Sequence, residues 1–519
     1  MSAASTSRIR RWLQALARPL PPQQQAAVDA RRSYEAADVG RLAYGWNAGS
    51  AGPNSEVDSG RVVLRDRSRE LVRNNALANR AVSVLTSALV GEGIRPQART
   101  GRESLDAALM ALWDMASGEI DAAGRCDVYG LQALAVRGWV ESGESLLRRR
   151  WRRTDDPTTI PMQVQVLEAD MLADDDVWST GRRSGVRYGI ETDAIGRRTA
   201  YELYRQHPGE TDWLSASTLE TVMVPASEVS HVYQVTRPGQ MRGVPWLTPV
   251  MLDIRDLDDF EHAEIVRQKM QASLMAFRRT PSLDPLGISD QVEQATDGRW
   301  LETLSPGMIA KLPPGEDVTL LAPAQYGGFR DAVMHAQRVI ATGAQIPYEI
   351  LTGDLTGVNY SSIRAGMLEY RSLLRVLTRN VVIPHVCSPM WRWFVEAAEV
   401  GGLLPRMTQQ ERALAMRPHW HPPKWVPIDR EAEIKADILE MQAGIRTLAE
   451  TAAERGHDWM AQLEQMASER EKAEELGLSL SGFGSASPSQ AVTMPPSAVS
   501  APEVDDETDQ TDDQTDDAA

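Results

Sequence analysis

Three short stretches of the sequence contain residue types that could do chemistry. "RPHWHPP" places His419 and His421 two residues apart, and imidazole nitrogens are common zinc ligands. "ADDDVW", residues 173–178, clusters three carboxylates of the kind that hold Mg²⁺. "IPYEILTGDLTGVNYSSIRAG", residues 346–366, carries two glycines between two helical patterns. This last stretch is compatible with an active-site loop, a phosphate-binding loop or a structural connection.

None of these stretches completes a catalytic or metal-binding set. The histidine pair lacks a third ligand at suitable spacing, and runs of aspartate are more often solvated turns. The glycines are not followed by Gly-Lys-Ser/Thr, and the sequence has no Gly-x-Ser-x-Gly or His-Glu-x-x-His motif. Cys126 and Cys387 are the only cysteines, which argues against a disulfide framework and a cysteine zinc site. We therefore expect no catalytic residue, no metal and no cofactor.

Composition and charge indicate a large soluble protein. The 519 residues are enough for two or more domains, and 42% hydrophobic with 24% charged residues is ordinary for a globular chain. The N-terminus is basic but lacks the apolar centre of a signal peptide, so we expect a cytoplasmic protein. Residues 503–517 hold nine acidic residues and no basic one, about half of the net charge of −17. The remainder lacks the dense basic stripe of a tight DNA binder.

The periodicity of apolar residues divides the chain into segments. Residues 1–60 have the composition of an extended, partly flexible arm. Residues 61–144 are helical, beginning with a pattern that runs from Arg61 to Gly91. Residues 145–245 are rich in strands, most plainly at "MQVQVLEADML", where the apolar period changes to two. The expected fold class is therefore α+β and mainly helical.

A long helix is predicted for 246–280, running from Thr248 and Pro249 to about Arg279. Its first half has no single apolar face, which is typical of a helix contacted on several sides, although a surface helix braced by ion pairs is the alternative. Its candidate functional charges are Asp253, Asp256, Asp259 and Glu264. Residues 281–427 mix turns with helices that Pro384 and Pro389 should kink or break. Residues 428–477 are helical, with Asp429, Thr447 and Asp458 as helix caps, and 478–519 should be a disordered acidic tail.

Four ordered stretches resemble the lambda-type portal proteins of tailed bacteriophages. They are "RDRSRELVRNNALANRAVSVLTSALVGEGIRPQ", "VPASEVSHVYQVTRPGQMRGVPWLTPVM", "IPYEILTGDLTGVNYSSIRAG" and "WVPIDREAEIKADILEMQAGIRTLAETAAERGHD", spread over residues 61–460. Each alone is weak, but together, in order and at suitable spacings, they form a specific signature. The two tails lie outside it.

The resemblance implies a homo-oligomeric ring, typically a dodecamer, at one vertex of the virion capsid, after assembly in the host cytoplasm. Such a ring nucleates head assembly with the major capsid protein and scaffold, docks the terminase large subunit and later head-completion (connector) proteins, and surrounds a channel for double-stranded DNA in packaging and ejection. It also implies wing regions at 61–144 and 281–427, a clip within 145–245, a stem helix at 246–280 and a crown at 428–477.

For the glycine-containing stretch, the resemblance implies a tunnel loop that faces the channel. The candidate channel-loop residues are Thr352, Gly353, Asp354, Leu355, Thr356, Gly357, Val358, Asn359 and Tyr360. A buried helix–loop–helix connection is the structural alternative. The alternative function for the whole chain is a metal-dependent DNA-processing enzyme that uses "ADDDVW" or the histidine pair.

Overall fold

The computed structural model describes residues 49–153, 155–173, 186–210, 220–272, 276–279, 309–312, 328–357, 359–423, 430–454 and 459–478. The chain divides into two compact units, Met1–Leu439 and Glu440–Ala519. The fold is α+β and mainly helical, as predicted. The predicted N-terminal arm (1–60) and acidic tail (478–519) fall mostly on residues 1–48 and 479–519, outside the described ranges. Within the described part of the predicted arm, a helix begins at Pro53.

The first unit opens with a helical layer. It consists of α1 (Pro53–Asn74), α2 (Ala76–Val90), the short strand β1 (Arg95–Gln97), α3 (Glu103–Ser117) and α4 (Val128–Ser142). The helical pattern from Arg61 to Gly91 therefore contains two helices rather than one. Asn75 separates them because its backbone is extended, and its side chain accepts hydrogen bonds from the amides of Leu77 and Ala78 at the start of α2.

Two antiparallel sheets follow, as the change of period predicted. Their strands are β2 (Ser145–Trp151), β3 (Met162–Glu168), β4 (Val186–Arg187), β5 (Ile190–Thr192), β6 (Arg198–Tyr204), β7 (Thr221–Pro225) and β8 (Val229–Val232). One sheet has the order β3-β2-β8 and the other the order β4-β5-β6-β7. Leu146, Ile190 and Leu203 belong to a buried cluster that joins the two sheets.

The predicted long helix is present but shorter than expected. After a 3₁₀ turn at Thr248–Val250, α5 spans Met251–Ala272, and residues Ala276–Arg279 form strand β9 instead of continuing the helix. β9 pairs in parallel with β10 (Ile309–Leu312). The next helix, α6 (Phe329–Ala344), packs against α5, with the rings of Phe260 and Phe329 5.5 Å apart.

The remaining elements of this unit are α7 (Tyr348–Thr352), α8 (Tyr360–Leu377), a π-helical stretch at Thr378–Cys387, α9 (Ser388–Val400), α10 (Gln409–Ala415) and β11 (His419–His421). Pro384 lies within a continuous π-helical stretch rather than in an α-helix. The wider π-helical turn accommodates it, and Pro389 lies at the start of α9, where a missing backbone donor costs nothing.

Aromatic residues form the centre of the main core. The Trp113 ring lies 5.1 Å from that of Trp391 and 5.0 Å from that of Phe394, and all three side chains are buried. Trp391 Nε1 donates to the Ala415 carbonyl at 2.7 Å, so its polar edge is also satisfied. Since the three residues come from α3 and α9, this cluster joins the two ends of the first unit. No helix in the described ranges has the length and apolar content needed to span a bilayer.

Helices also make up the described part of the second unit. α11 (Arg430–Gln442) crosses the boundary between the units, and α12 (Leu448–Glu454) and α13 (Trp459–Glu475) lie within the second. Thr447 caps α12 as predicted: its hydroxyl accepts from the Glu450 amide, and the Glu450 carboxylate accepts from the Thr447 amide. The other two predicted caps, Asp429 and Asp458, lie outside the described ranges.

Candidate functional site

The loop between α7 and α8 is built from local hydrogen bonds. Gly353 ends α7 with a φ of 75°, which a residue with a Cβ rarely adopts, and its backbone amide donates to the Glu349 carbonyl. Asp354 Oδ1 accepts from the Thr356 amide at 2.9 Å and from its hydroxyl at 2.6 Å. Asn359 then caps α8 by accepting from the Ser362 amide at 2.8 Å. The loop is therefore a defined turn.

The tip of this loop faces solvent in the isolated chain. Leu355 is 63% exposed, and Thr356, Gly357 and Asn359 are exposed as well. Hydrogen bonds from Thr356 lower the pKa of the Asp354 carboxyl, so it is ionised near neutral pH. Val358 and the side chain of Tyr360 fall outside the described residues. The described part of the loop therefore presents an exposed turn with one ionised carboxylate.

Helix α5 presents three of its four predicted charges to solvent. Asp253, Asp256 and Asp259 are exposed, whereas Glu264 is buried and accepts from Arg267 Nε at 2.7 Å and Gln268 Nε2 at 3.1 Å. Position 264 continues the buried stripe of Ile254 and Leu257, so Glu264 is turned away from solvent. The functional role of the four acidic residues stays a prediction. No hydrogen bond or ion pair in the described part joins these acidic residues to the 352–360 loop.

The histidine pair of "RPHWHPP" lies on a short strand. β11 pairs with β1, and the His419 and His421 rings are 5.2 Å apart between centroids. His421 Nε2 lies 3.2 Å from Gln97 Oε1, a neutral amide. The other predicted stretch, "ADDDVW", has its aspartates in 174–176, outside the described ranges.

Three residues that the sequence did not single out bring possible metal ligands together. Glu168, Asp170 and His207 place one ligand atom each within 4.8 Å of one another. Arg69 Nη2 donates to Glu168 Oε2 at 2.8 Å and Asp170 Oδ2 at 2.7 Å, and Arg65 Nη2 lies 3.0 Å from Asp170 Oδ1. Although burial opposes it, the hydrogen bond from Arg69 and the charges of both arginines lower the pKa of Asp170. Since two guanidinium groups already compensate the carboxylates, the cluster is an ion-pair network between α1 and β3.

A second polar network, centred on Glu144, is deeply buried. Glu144 Oε1 accepts from Arg242 Nε at 2.8 Å and Nη2 at 2.6 Å, while Oε2 accepts from His231 Nε2 at 2.9 Å and the Gly243 amide at 2.9 Å. Both Glu144 and Arg242 are 2% exposed. A buried charge of this kind is tolerated only when every lone pair has a donor.

His231 is held neutral in this network. Burial lowers its pKa to about 4, against the opposing effect of Glu144. Its Nδ1 faces Arg198 Nη1 at 3.2 Å, so that nitrogen must accept while Nε2–H donates to Glu144. An acidic residue beside a histidine resembles part of a catalytic triad. The third member here is an arginine rather than a nucleophile, so the arrangement orients groups within the fold.

Backbone geometry explains why glycines flank the ion pair. A Cβ on Gly243 would lie 2.0 Å from the Gly143 carbonyl oxygen, and a Cβ on Gly143 would lie 2.5 Å from the Val244 carbonyl carbon. Two chain segments about one hundred residues apart therefore cross at contact distance, next to Glu144 and Arg242. Two sequence patterns, "SGES" and "MRGVPW", contain the residues of this crossing. The second pattern lies in one of the stretches that resemble portal proteins, but the sequence alone assigned no role to its residues.

Comparison with known proteins identifies the family. The profile of phage portal proteins of the lambda family matches residues 39–377, more than half of the chain. The chain belongs to this family of portal proteins. The matched range includes α5, the 352–360 loop and the Glu144 network.

Two phage proteins are similar along most of their length. A probable portal protein of Halomonas phage phiHAP-1 is 26% identical over 475 residues, covering 86% of this chain and 87% of the relative. The portal protein of Escherichia phage N15 is 22% identical over 481 residues, covering 84% and 88%.

Among solved structures, a chain from the virion of a native gene transfer agent particle is 14% identical, with a TM-score of 0.40 over 80% of this chain and 98% of its own length. A chain from the neck of the native particle, computed with C12 symmetry, is also 14% identical, with a TM-score of 0.40 over 81% and 99%.

Proposed function

We propose that the chain assembles into a closed ring of identical subunits, typically twelve, at one vertex of a phage capsid. Double-stranded DNA would pass through the central channel of the ring during packaging and ejection. Membership of the portal family supports this role directly. The proposed partners are the terminase large subunit, the major capsid protein with its scaffold, and head-completion proteins. Assembly would take place in the host cytoplasm.

The observation that carries the ring proposal is the surface of α5. Met251, Ile254 and Leu257 bury one side of the helix, yet Leu252 is 68% exposed, and Ile265 and Val266 are 48% and 41% exposed. Large apolar side chains on several sides of one helix are costly to leave in water. Neighbouring copies of the same helix would cover them in a ring.

We further propose that the 352–360 loop reaches the channel. Its exposed tip and the positive φ values of Gly353 and Gly357 support a surface that meets a moving partner. The acidic side chains of α5 would favour passage over retention, because phosphate contacts that release counterions would hold the DNA. The wing, stem and crown positions expected from the sequence belong to the same proposal.

Two positions are candidates for the clip, the region that docks the terminase. The sequence expectation was 145–245. The packing of α5 against α6, which brings Phe260 and Phe329 into contact, supports a second position, residues 273–327, because this segment connects the two packed helices.

We assign the chain no catalytic role. The alternative, a metal-dependent DNA-processing enzyme, would require cleavage of DNA that depends on added Mg²⁺ or Zn²⁺ and is lost in Asp175→Ala or His421→Ala. The histidine pair gains no additional ligand among the residues that the structure describes, and the aspartates of "ADDDVW" lie outside those residues.

Electron microscopy of the purified full chain tests the ring. End-on averages of the wild type should show hollow rings of about twelve subunits, while Leu252→Asp should yield monomers with an unchanged circular dichroism spectrum, since an added carboxylate would be buried between subunits. The matched control is Ile195→Asp, which places the same change at an 89% exposed position. A wild type that stays monomeric and does not enter procapsids, or rings that persist in Leu252→Asp, would contradict the proposed role of α5.

A further inference from the structure

Strand β2 carries a row of positive charge on one face. Arg148, Arg150 and the following Arg152 alternate with residues that point to the opposite face. Side chains two residues apart on a strand are about 6.8 Å from one another. We call these three residues the arginine row. Arg148 and Arg150 are half-buried and Arg152 is exposed.

Glutamines on β3 orient two members of the arginine row. Arg150 donates to Gln165 Oε1 from Nε at 2.8 Å and from Nη2 at 2.6 Å. Arg152 Nε donates to Gln163 Oε1 at 2.6 Å, and Gln163 is fixed in turn by donating to the Glu119 carbonyl at 2.9 Å. An amide oxygen holds a guanidinium group in place without neutralising it. The row is thus positioned but keeps its charge.

Within the described ranges, the arginine row has no carboxylate partner in a salt bridge. Burial and the charge of Arg150 lower the pKa of Arg148, and burial and the charge of Arg152 lower the pKa of Arg150, with Glu228 acting in the opposite sense on both. Arg148 Nε is buried and makes no hydrogen bond in this part of the chain. Like charges along one face repel one another, and bound carboxylates would relieve that repulsion.

The other face of β2 carries an arginine that has only a structural role, and it serves as a comparison. Arg149 points to that face and pairs with Glu396 Oε2 at 2.5 Å. Its guanidinium carbon also lies 4.6 Å from the centre of the Trp151 ring and 6.0 Å from that of Trp393. Among the described residues, β2 with the following Arg152 therefore carries an arginine with a salt bridge on one face and three arginines without one on the other, with Glu228 acting on Arg148 and Arg150 only at longer range.

We propose that the arginine row binds an extended acidic polypeptide segment of a partner protein, with carboxylates at every second residue facing the three guanidinium groups. An extended peptide repeats its side chains at the same spacing as the row, and guanidinium groups bind carboxylates through paired hydrogen bonds. The residues of β2 and β3 that share this face contain no aromatic ring on which bases could stack. The net charge of −17 also opposes general binding of nucleic acid. This proposal does not depend on ring formation.

Fluorescence anisotropy with the full chain tests the inference. The probe is a labelled peptide of about ten residues in which Asp and Thr alternate; the comparison peptide has the same composition with its aspartates in one block. The alternating peptide should bind the wild type more tightly than the block peptide. The triple variant Arg148→Gln, Arg150→Gln, Arg152→Gln should bind it about tenfold more weakly, since three partly buried ion pairs are lost.

A matched triple variant distinguishes binding at the arginine row from a general effect of net charge on peptide binding. Arg67→Gln, Arg73→Gln, Arg197→Gln removes the same charge at exposed positions and should leave affinity within about twofold. Equal losses in the two triples, no binding to the wild type, or tighter binding of an oligothymidylate of equal length would each overturn the proposal. If the first triple variant does not fold, Arg152→Gln alone, at an exposed position, should weaken binding by about threefold; unchanged affinity would overturn the proposal.

Discussion

At the scale of single residues, the Glu144 carboxylate connects two parts of the first unit. Its carboxylate, at the start of β2, is bound by Arg242 and His231, which lie beyond the four-stranded sheet in the sequence. Although burial alone would raise it, Arg242 and His231 hold the pKa of Glu144 well below its usual range. Removing one partner would leave a buried charge without compensation, which is far more damaging than loss of an exposed ion pair.

The network makes stability depend on pH through His231. Its pKa is about 4 in the folded chain and 6.5 for the ordinary side chain, so the unfolded chain binds the extra proton between these values. Stability is therefore fully present above pH 6.5 and falls as the pH drops towards 4. We expect the melting temperature to fall between pH 7 and pH 5, and to fall less in His231→Gln.

Thermal melts of wild type and variant at fixed protein concentration measure this difference. Part of the dependence should remain in His231→Gln, because burial also lowers the pKa of His385 and His419. His335→Gln, at an exposed position, is the control and should follow the wild type. Parallel curves for wild type and His231→Gln would show that His231 is not the titrating group.

Substitution of Gly243 tests how closely the two chain segments approach one another beside Glu144. Gly243→Ala would place a Cβ 2.0 Å from the Gly143 carbonyl oxygen, and backbone atoms cannot move aside as a flexible side chain can. We expect the free energy of unfolding to fall by about 1–3 kcal/mol or more. Urea unfolding checks this against Gly118→Ala, where an added Cβ meets nothing within 4 Å. Equal stability of the two variants would mean that the crossing is looser than the structure indicates.

At the scale of elements, local sequence patterns predicted the structural features that depend on local interactions. The change of period at Met162, the cap at Thr447 and the helices on both sides of the 352–360 loop are all local features, and each is present. The end of α5 was wrong, because the helical pattern continues through 276–279 while pairing with β10, more than thirty residues away, selects a strand. The Glu144–Arg242 pair was missed because its partners are 98 residues apart.

Substitution of Asn359 tests how much this helix cap stabilises the 352–360 loop. Asn359→Ala removes the acceptor of the Ser362 amide, and loss of such a cap costs about 1 kcal/mol. Amides in the first turn of α8 should therefore exchange with solvent about fivefold faster. Hydrogen exchange followed by mass spectrometry measures this, and Asn359→Asp, which keeps the acceptor, should exchange like the wild type. Unchanged exchange in Asn359→Ala would assign the helix start to packing alone.

At the scale of the whole molecule, the charges of the described residues fit the proposed passage of DNA rather than its capture. The family match covers the first unit from residue 39 to residue 377, and within it the exposed acidic residues of α5 and the ionised Asp354 are of one sign. A surface of this sign repels phosphate at short range. The same reasoning explains how a protein without a dense basic stripe can still serve DNA: in the proposed ring, the channel would guide the duplex without holding it.

Adding positive charge to the loop tip should slow DNA movement without preventing assembly. Leu355→Lys with Thr356→Lys would introduce two phosphate-binding groups per subunit at exposed positions, each contact releasing counterions. We expect normal rings by electron microscopy but fewer full heads in a complementation assay, with the defect in DNA release from heads decreasing as salt is raised. Leu355→Gln with Thr356→Gln changes the same positions without charge and should package normally. If both double variants package equally well, the loop does not meet the DNA, and the buried helix–loop–helix interpretation of residues 352–360 is preferred.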